Sequence, residues 1–343
     1  MTRTDSPVVA DIDYDASGKR YGRLRIPRST NDSGWSSLMV PIVVVVHGTG
    51  PTALVLGGNH GDEPVGIVAA LDLAHRVQVE EVNGRLIVIP CLSLEAAMAN
   101  TRLWPSGANF NRSFPGSPTG PPDEQLADYL TRYLIPMSDI VVDIHSGGRS
   151  STCLPWSEMH PVADQRQRRA MVEGMLAWNT DWHVIYVDVA GTGLLVGEAE
   201  RQGKVVVSTE LGGGGGVSRE LHELARSGLE NVLRHFGVLA GKVQTRESMG
   251  RQPATILRAT DINDYPLAPE SGLFETLVHL GQHVGAGQPL GRLHFLERPA
   301  RPPEVVTAPS SGVVCSIRAI APTQQGDNLF LIGHLITLEE ALA

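Results

Sequence analysis

A chain of 343 residues is too long for one small module and, at roughly 150 residues per domain, has room for two. Its 42% hydrophobic and 19% charged residues suit a globular protein with a sizeable core, which excludes a disordered chain. The 28 basic against 37 acidic residues give a formal charge of -9 with no Lys/Arg cluster, a field that repels phosphate backbones and anionic lipid, so neither nucleic acid nor a membrane is expected as a partner.

The N-terminus, Met1-Thr2-Arg3-Thr4-Asp5-Ser6-Pro7, lacks an apolar signal core, and no apolar run approaches transmembrane length. Cys91, Cys153 and Cys315 lie too far apart for a Cys-x-x-Cys zinc site or a disulfide framework, so a soluble cytoplasmic protein is expected. The stretch 21–46, with Ile42-Val43-Val44-Val45-Val46, reads as a strand pair in an N-terminal β extension over residues 1–46. From residue 47 to 247 buried-strand patterns alternate with helical ones. Strand 54–56 precedes a helix near 66–75, and strand 85–91 runs into a loop. Helices near 123–134, 164–178 and 194–202 lead to strands 139–144, 183–188 and 204–210, and a helix over 219–235 closes the series. Such alternation predicts a layered α/β domain with a helix layer on each face of its sheet. From 248 to 343 short β-like runs punctuated by Gly and Pro predict a separate all-β domain.

The α/β part holds the chemistry. Apolar strand 53–58 runs into Asn59-His60-Gly61-Asp62-Glu63, where an imidazole and a carboxylate three residues apart can grip one metal ion from a single turn. A third ligand, His145, stands just past another apolar strand in Asp143-Ile144-His145-Ser146-Gly147-Gly148. Carboxyl ends of strands in such sheets converge on one rim, so His60, Glu63 and His145 would form a two-His, one-carboxylate zinc site with an open position, one zinc per chain. Asp143 is placed to orient an imidazole. Glu210, in Thr209-Glu210-Leu211-Gly212 at the end of a further apolar strand, is the general base and acid. A Pro/Gly-rich loop with Arg102, Asn111 and Arg112 offers a bidentate carboxylate clamp and a donor for a developing oxyanion, equipment that suits an anionic acyl-amino acid.

Gly58-Asn59-His60-Gly61-Asp62-Glu63, Asn111-Arg112-Ser113-Phe114-Pro115-Gly116, Asp143-Ile144-His145 and Thr209-Glu210-Leu211-Gly212, in this order, resemble the zinc-dependent succinylglutamate desuccinylase and aspartoacylase group, relatives of the metallocarboxypeptidases. The resemblance runs from about Pro51 to the last β runs. It implies a zinc-carboxypeptidase-like mixed sheet with helices on both faces, plus a C-terminal all-β, barrel-sandwich-like domain flanking the active site. It also implies zinc ligands at His60, Glu63 and His145, carbonyl polarisation by Arg102, substrate carboxylate binding by Asn111 and Arg112, and proton shuttling by Glu210. Asn109 departs from the pattern, standing where many relatives have an Asp whose charge could brace an arginine. The 102–112 spacing is also slightly longer than in aspartoacylase.

Within the family, Phe110-Asn111-Arg112, His145-Ser146-Gly147-Gly148 and Glu210-Leu211-Gly212-Gly213-Gly214-Gly215 resemble the ectoine-degradation branch, which is similar to N-alpha-acetyl-L-2,4-diaminobutyrate deacetylase. The expected function is therefore a zinc-dependent amidohydrolase that removes an acetyl group from an N-acyl amino acid, its small-molecule partner. Other N-acyl amino acids or a peptide C-terminus are the alternatives within the family, and a zinc-free sensor or carrier-like binding protein is the alternative outside it. A pocket carboxylate would favour diaminobutyrate, and a pocket cation beyond Arg102 and Arg112 would favour a second acidic group. The oligomeric state is open, a homo-oligomer included.

The segments 281–290 and 308–314 resemble the barrel-sandwich of biotinyl and lipoyl carriers, but the hairpin region Glu297-Arg298-Pro299-Ala300-Arg301-Pro302-Pro303 has no lysine to attach a group. Walling the active-site entrance is the expected role instead. Glu270 and Glu275 could meet a substrate ammonium there, or face solvent. Asp188-Val189-Ala190-Gly191-Thr192-Gly193 lacks the Gly-x-Gly-x-x-Gly spacing and reads as a turn. The glycines 212–216 fit close backbone approach to the pocket or plain flexibility. His47, His160 and His183 have no spaced partners and read as core or surface histidines.

Overall fold

In the computed structural model, which describes residues 5–189 and 191–343, the β-branched run 42–46 lies in the second arm of a long antiparallel hairpin. Strand β1 (Val9–Ala10) lies on the outer side of β2 (Gly18–Thr30), which turns into β3 (Ser33–His47). The chain continues through β4 (Thr52–Gly57), α1 (Pro64–Arg76), β5 (Gly84–Ile89), α2 (Leu94–Ala99), α3 (Pro122–Tyr129), α4 (Ile135–Met137) and β6 (Ile140–His145). Next come β7 (Ser151–Cys153), β8 (Trp156–Met159), α5 (Gln165–Ala177), β9 (Trp182–Tyr186), α6 (Leu195–Arg201), β10 (Val205–Glu210) and α7 (Arg219–His235). The last third contributes β11 (Thr255–Ala259), β12 (Gly272–Thr276), β13 (His283–Val284), β14 (Pro289–His294), β15 (Glu304–Thr307), β16 (Gly312–Arg318), β17 (Pro322–Thr323), β18 (Phe330–Ile336) and α8 (Leu338–Leu342). Met1–Thr4, at the start of the stretch read for a signal core, and Ala190 of the turn at 188–193 lie outside the described residues.

Strands β4 and β6 pair in parallel, as do β6 and β10, and both faces of this centre are buried. Alternation along β4 sorts its side chains: Ala53 and Val55 join a cluster with Val65 and Ala69 of α1 and Leu229 and Val232 of α7, whereas Leu54 and Leu56 join one with Leu126 of α3 and Leu195 of α6. Helices therefore cover the two faces, as the alternating pattern implies. Gly66 lets α1 come close to β6, since a Cβ there would lie 2.2 Å from the Ile144 carbonyl oxygen.

The α/β strands and the C-terminal strands are not separated at residue 247. One sheet runs in the order β1-β2-β3-β5-β4-β6-β10-β8-β9-β11-β18-β16-β13. The expected units 1–46, 47–247 and 248–343 thus share a single hydrogen-bonded layer. The physical reason is the edge of β9: β11 covers it in parallel register and is itself covered by β18, so no long edge is left unpaired there. A four-stranded antiparallel sheet, β15-β14-β12-β17, stands apart and closes over Phe274, Leu290, Leu293, Phe330 and Ile332 against β13, β16 and β18.

Two local differences have physical causes. The helix expected over 123–134 is regular only to Tyr129; residues 130–134 widen into a π turn before Pro136, which has no backbone N–H to donate. Strands β7 and β8 occupy a stretch with no apolar run, and β8 enters the sheet antiparallel to β10.

Candidate active site

Three parallel strands end on one rim. β4 ends at Gly57, shortly before His60 and Glu63, while β6 ends at His145 and β10 at Glu210. In the β6–β10 ladder His145 stands opposite Glu210, and Asp143 opposite Ser208. Residues two apart share a face, so the four side chains form two adjacent rows.

The ring nitrogen His60 Nδ1 lies 2.7 Å from Glu63 Oε1, and His145 Nδ1 lies 2.7 Å from Glu63 Oε2. One ligand atom from each residue falls within 4.8 Å of the others, a spread that a single metal ion can bridge. The far nitrogens are held from behind. His145 Nε2–H donates to Asp143 Oδ2 at 2.9 Å, and Asn59 Nδ2 donates to the same oxygen at 2.9 Å. His60 Nε2 lies 3.2 Å from Asn109 Oδ1, an oxygen that also accepts the Asn111 backbone N–H at 3.1 Å. An acceptor behind each Nε2 favours a proton there, which would free the Nδ1 lone pairs for a metal ion in place of their contacts with Glu63. Asn109, at the position expected to brace an arginine, braces an imidazole instead.

Electrostatics follow from this packing. Burial opposes the charge on Glu63, but the His60 and His145 imidazoles outweigh it and hold the carboxyl well below its usual range. At His60 burial prevails and lowers the imidazole; at His145 burial also opposes the charge, but the Asp143 and Glu63 carboxylates raise it well above. Two inward Nδ1 atoms around a buried carboxylate form a donor set of the kind that zinc takes with three protein ligands.

Glu63 opens onto a cavity of about 650 Å³ whose lining also includes Arg102, Arg112, Glu158, Asp188 and Glu210. Glu210 Oε2 is buried and has no hydrogen-bond partner among the described residues. Burial, then the charges of Glu63 and Glu158, push its carboxyl well above the usual range. Arg102 reaches the metal-ligand group, its Nη1 donating to Glu63 Oε1 at 3.0 Å. Arg112 Nη1 donates to the Asn111 carbonyl at 2.7 Å and Nη2 to Asp188 Oδ2 at 2.8 Å, which fixes the plane of its guanidinium at the cavity wall. Asn111 is buried and does not line the cavity; its Oδ1 accepts the Leu195 N–H at 2.9 Å and so anchors the first turn of α6.

The C-terminal part supplies further wall through Ile262, Tyr265 and Asn328 between its strands and Ser316 and Leu331 of β16 and β18. Glu270 and Glu275 are elsewhere: Glu270 is tied to Arg301 at 2.6 Å and Glu275 to His294 at 2.8 Å, and neither lines the cavity. Gly213 packs against the loop after His145, where a Cβ would lie 2.0 Å from the Ser151 carbonyl oxygen, so close backbone approach explains that glycine. His183 is fully buried, His160 pairs with Glu200 at 2.9 Å, and His47 Nδ1 contacts the Val82 carbonyl. The sequence reading missed Asn59, Glu158 and Asp188. Asn59 adjoins His60 in its motif and was open to inference, but Glu158 sits in a strand too short and polar to recognise.

The succinylglutamate desuccinylase/aspartoacylase catalytic domain matches residues 49–236. N-alpha-acetyl-L-2,4-diaminobutyric acid deacetylase of Halomonas elongata is 38% identical over 332 residues, 96% of each chain. The product-bound ectoine utilization protein EutE (DoeB) of Ruegeria pomeroyi superposes with a TM-score of 0.91 at 37% identity, over 96% of this chain and 99% of that one. A succinylglutamate desuccinylase/aspartoacylase structure from Rhodobacter sphaeroides gives 0.91 at 35% identity, over 97% and 100%.

Proposed function

This chain belongs to the succinylglutamate desuccinylase/aspartoacylase family, and from that premise we propose that it is a zinc-dependent deacetylase of N-alpha-acetyl-L-2,4-diaminobutyrate, releasing acetate and the free diamino acid in ectoine degradation. One observation carries the chemical part: Glu210 stands in register beside His145, its unpartnered oxygen in the same cavity as Glu63. The substrate part is supported by the identity to the Halomonas deacetylase along nearly the whole chain.

His60, Glu63 and His145 would hold the zinc, which when bound polarises the acyl carbonyl and acidifies water. Glu210 takes the proton of the attacking water and returns it to the departing α-nitrogen. Burial suits Glu210 to this exchange, because it raises the carboxyl toward working pH. Arg102, beside Glu63, donates to the oxyanion as the carbonyl becomes tetrahedral. Arg112 receives the substrate carboxylate on the guanidinium edge left by its bonds to Asp188 and Asn111, and Asn111, buried behind it, positions that guanidinium through its carbonyl. Asp143 holds His145, and Asn109 holds His60. The cavity's further cation, Arg318, is bound to Asp327 and to the Pro322 carbonyl. The buried free thiols Cys91, Cys153 and Cys315 suit a reducing cytoplasm.

The test is a hydrolysis panel with zinc-loaded protein: the α- and γ-acetyl isomers of diaminobutyrate, N-acetylaspartate and N-acetylornithine. The α isomer should turn over fastest, and equal rates on all four would sink the substrate assignment. Glu210→Gln should keep its zinc and lose about a hundredfold or more in kcat. Wild-type turnover in that variant would overturn the proton-transfer role.

A further inference from the structure

Glu158 is a buried carboxylate without a counter-charge. It lies at the centre of β8, with its Cα paired to Ser208, so it shares a face with Ser208 and Glu210 and lines the cavity. Only 3% of it is exposed. Its contacts are neutral: Trp156 Nε1 donates to Oε2 at 2.6 Å, and the Ser208 hydroxyl stands 3.2 Å from Oε1. Among the described residues no lysine, arginine or histidine forms an ion pair with it, and its cavity neighbours Tyr186, Tyr265 and Cys153 carry no positive charge.

A buried carboxylate in this setting is costly unless something positive arrives. Burial raises the Glu158 carboxyl, and the Trp156 hydrogen bond and the more distant imidazoles of His145 and His160 offset only part of that rise. A core glutamate kept for stability alone would be sealed off or paired, whereas this one faces a space of about 650 Å³ together with Arg112 and Glu210. The cavity therefore offers two opposite charges to a ligand, a guanidinium at Arg112 and a carboxylate at Glu158.

The positions fit one molecule. β8 is two strands from β6, roughly 10 Å at backbone level, and the side chains of His145 and Glu158 project from the same face. In an N-acetyl diaminobutyrate the scissile carbonyl carbon and the side-chain nitrogen are five bonds apart, about 6 Å when extended. A backbone spacing of roughly 10 Å leaves room for such a molecule between the His60-Glu63-His145 group and the Glu158 carboxylate. We propose that Glu158 is the subsite that recognises the side-chain ammonium of the substrate and so selects N-acyl diamino acids over neutral or acidic N-acyl amino acids. This inference rests on the deacylase reading above, and it assigns to β8 the role once entertained for Glu270 and Glu275. The Trp156 indole holds the carboxylate in place, and the Ser208 hydroxyl limits its rotation.

The experiment uses calorimetric binding of two probes, L-2,4-diaminobutyrate and its uncharged isostere L-norvaline, to zinc-loaded protein. The wild type should favour diaminobutyrate by about ten- to hundredfold, the scale of a hydrogen bond between charged groups. Glu158→Gln, which retains an acceptor for Trp156, should erase most of that preference while leaving norvaline affinity within about twofold. Glu158→Asp withdraws the charge by one methylene and should move the preference toward L-ornithine. Equal wild-type affinity for the two probes, an equal loss of both in Glu158→Gln, or an unmoved order in Glu158→Asp would overturn the subsite. Hydrolysis is scored separately: discrimination through Glu158 without hydrolysis of any N-acetyl derivative would refute the deacylase reading and support the subsite.

Discussion

Each imidazole of the His60-Glu63-His145 group is oriented by a different kind of acceptor. His145 leans on the carboxylate of Asp143, and His60 on the amide oxygen of Asn109. A carboxylate makes its histidine a stronger electron donor than an amide does, so the two supports should not weigh equally. Asp143→Ala should weaken zinc binding by about ten- to hundredfold, and Asn109→Ala by less, as measured by competition with a chromophoric chelator. Asn109→Asp supplies a charged acceptor and should bind zinc at least as tightly as the wild type. Weaker binding there would show that Asn109 serves Asn111 and its loop rather than His60. That His60, Glu63, His145 and Glu210 meet at one rim was readable from sequence because each follows an apolar run whose end can be seen. Asn109's partner was not readable, because the bond to His60 joins residues 49 positions apart in a loop with no period.

At the scale of elements, β8 carries two buried polar groups on opposite faces. Glu158 faces the cavity, while Ser157 faces the other side, where its Oγ is 2.7 Å from His183 Nδ1. His183 is fully buried, and burial followed by the nearby Arg246 charge lowers it to about 3 from 6.5. Above pH 6.5 it is neutral in both folded and unfolded chains and has no effect on stability. As pH falls from 6.5 toward 3 the unfolded chain takes up a proton that the folded chain refuses, so stability is lost through that window. Urea unfolding should show about 2 kcal/mol less stability at pH 5 than at pH 7 from this residue, and His183→Gln should remove that part of the pH dependence. Strands β4, β6 and β10 were legible as runs of Val, Ile and Leu. β8, Trp156–Met159, was not, since its inward residues are a carboxylate and an indole that only tertiary contacts make buryable. From sequence, the carboxylates in view for a substrate ammonium were therefore Glu270 and Glu275 in the β-rich C-terminal part, and not Glu158 in the sheet.

Across the whole molecule, the composition change near residue 248 does not interrupt the hydrogen-bonded order of the large sheet. β11 pairs with β9, and β7, which follows the His145 loop, pairs with β16 through Ser316 and Cys153. A chain ending at residue 247 would expose the full edge of β9 and uncover Leu257's partners Val184 and Trp156. Such a truncation should aggregate on expression, and the intact chain should unfold in one calorimetric transition with equal calorimetric and van't Hoff enthalpies. Two separate transitions would restore the picture of independent domains.

The β7–β16 pairing has a kinetic consequence as well. The loop carrying Ser146 and Gly147 at the floor of the cavity and the strand carrying Ser316 at its wall are stitched by backbone hydrogen bonds, so floor and wall cannot part without breaking the sheet. Ligand exchange should then proceed without these two parts separating. On this side the cavity should therefore act as a sieve and not as a clamp, admitting ligands by their girth.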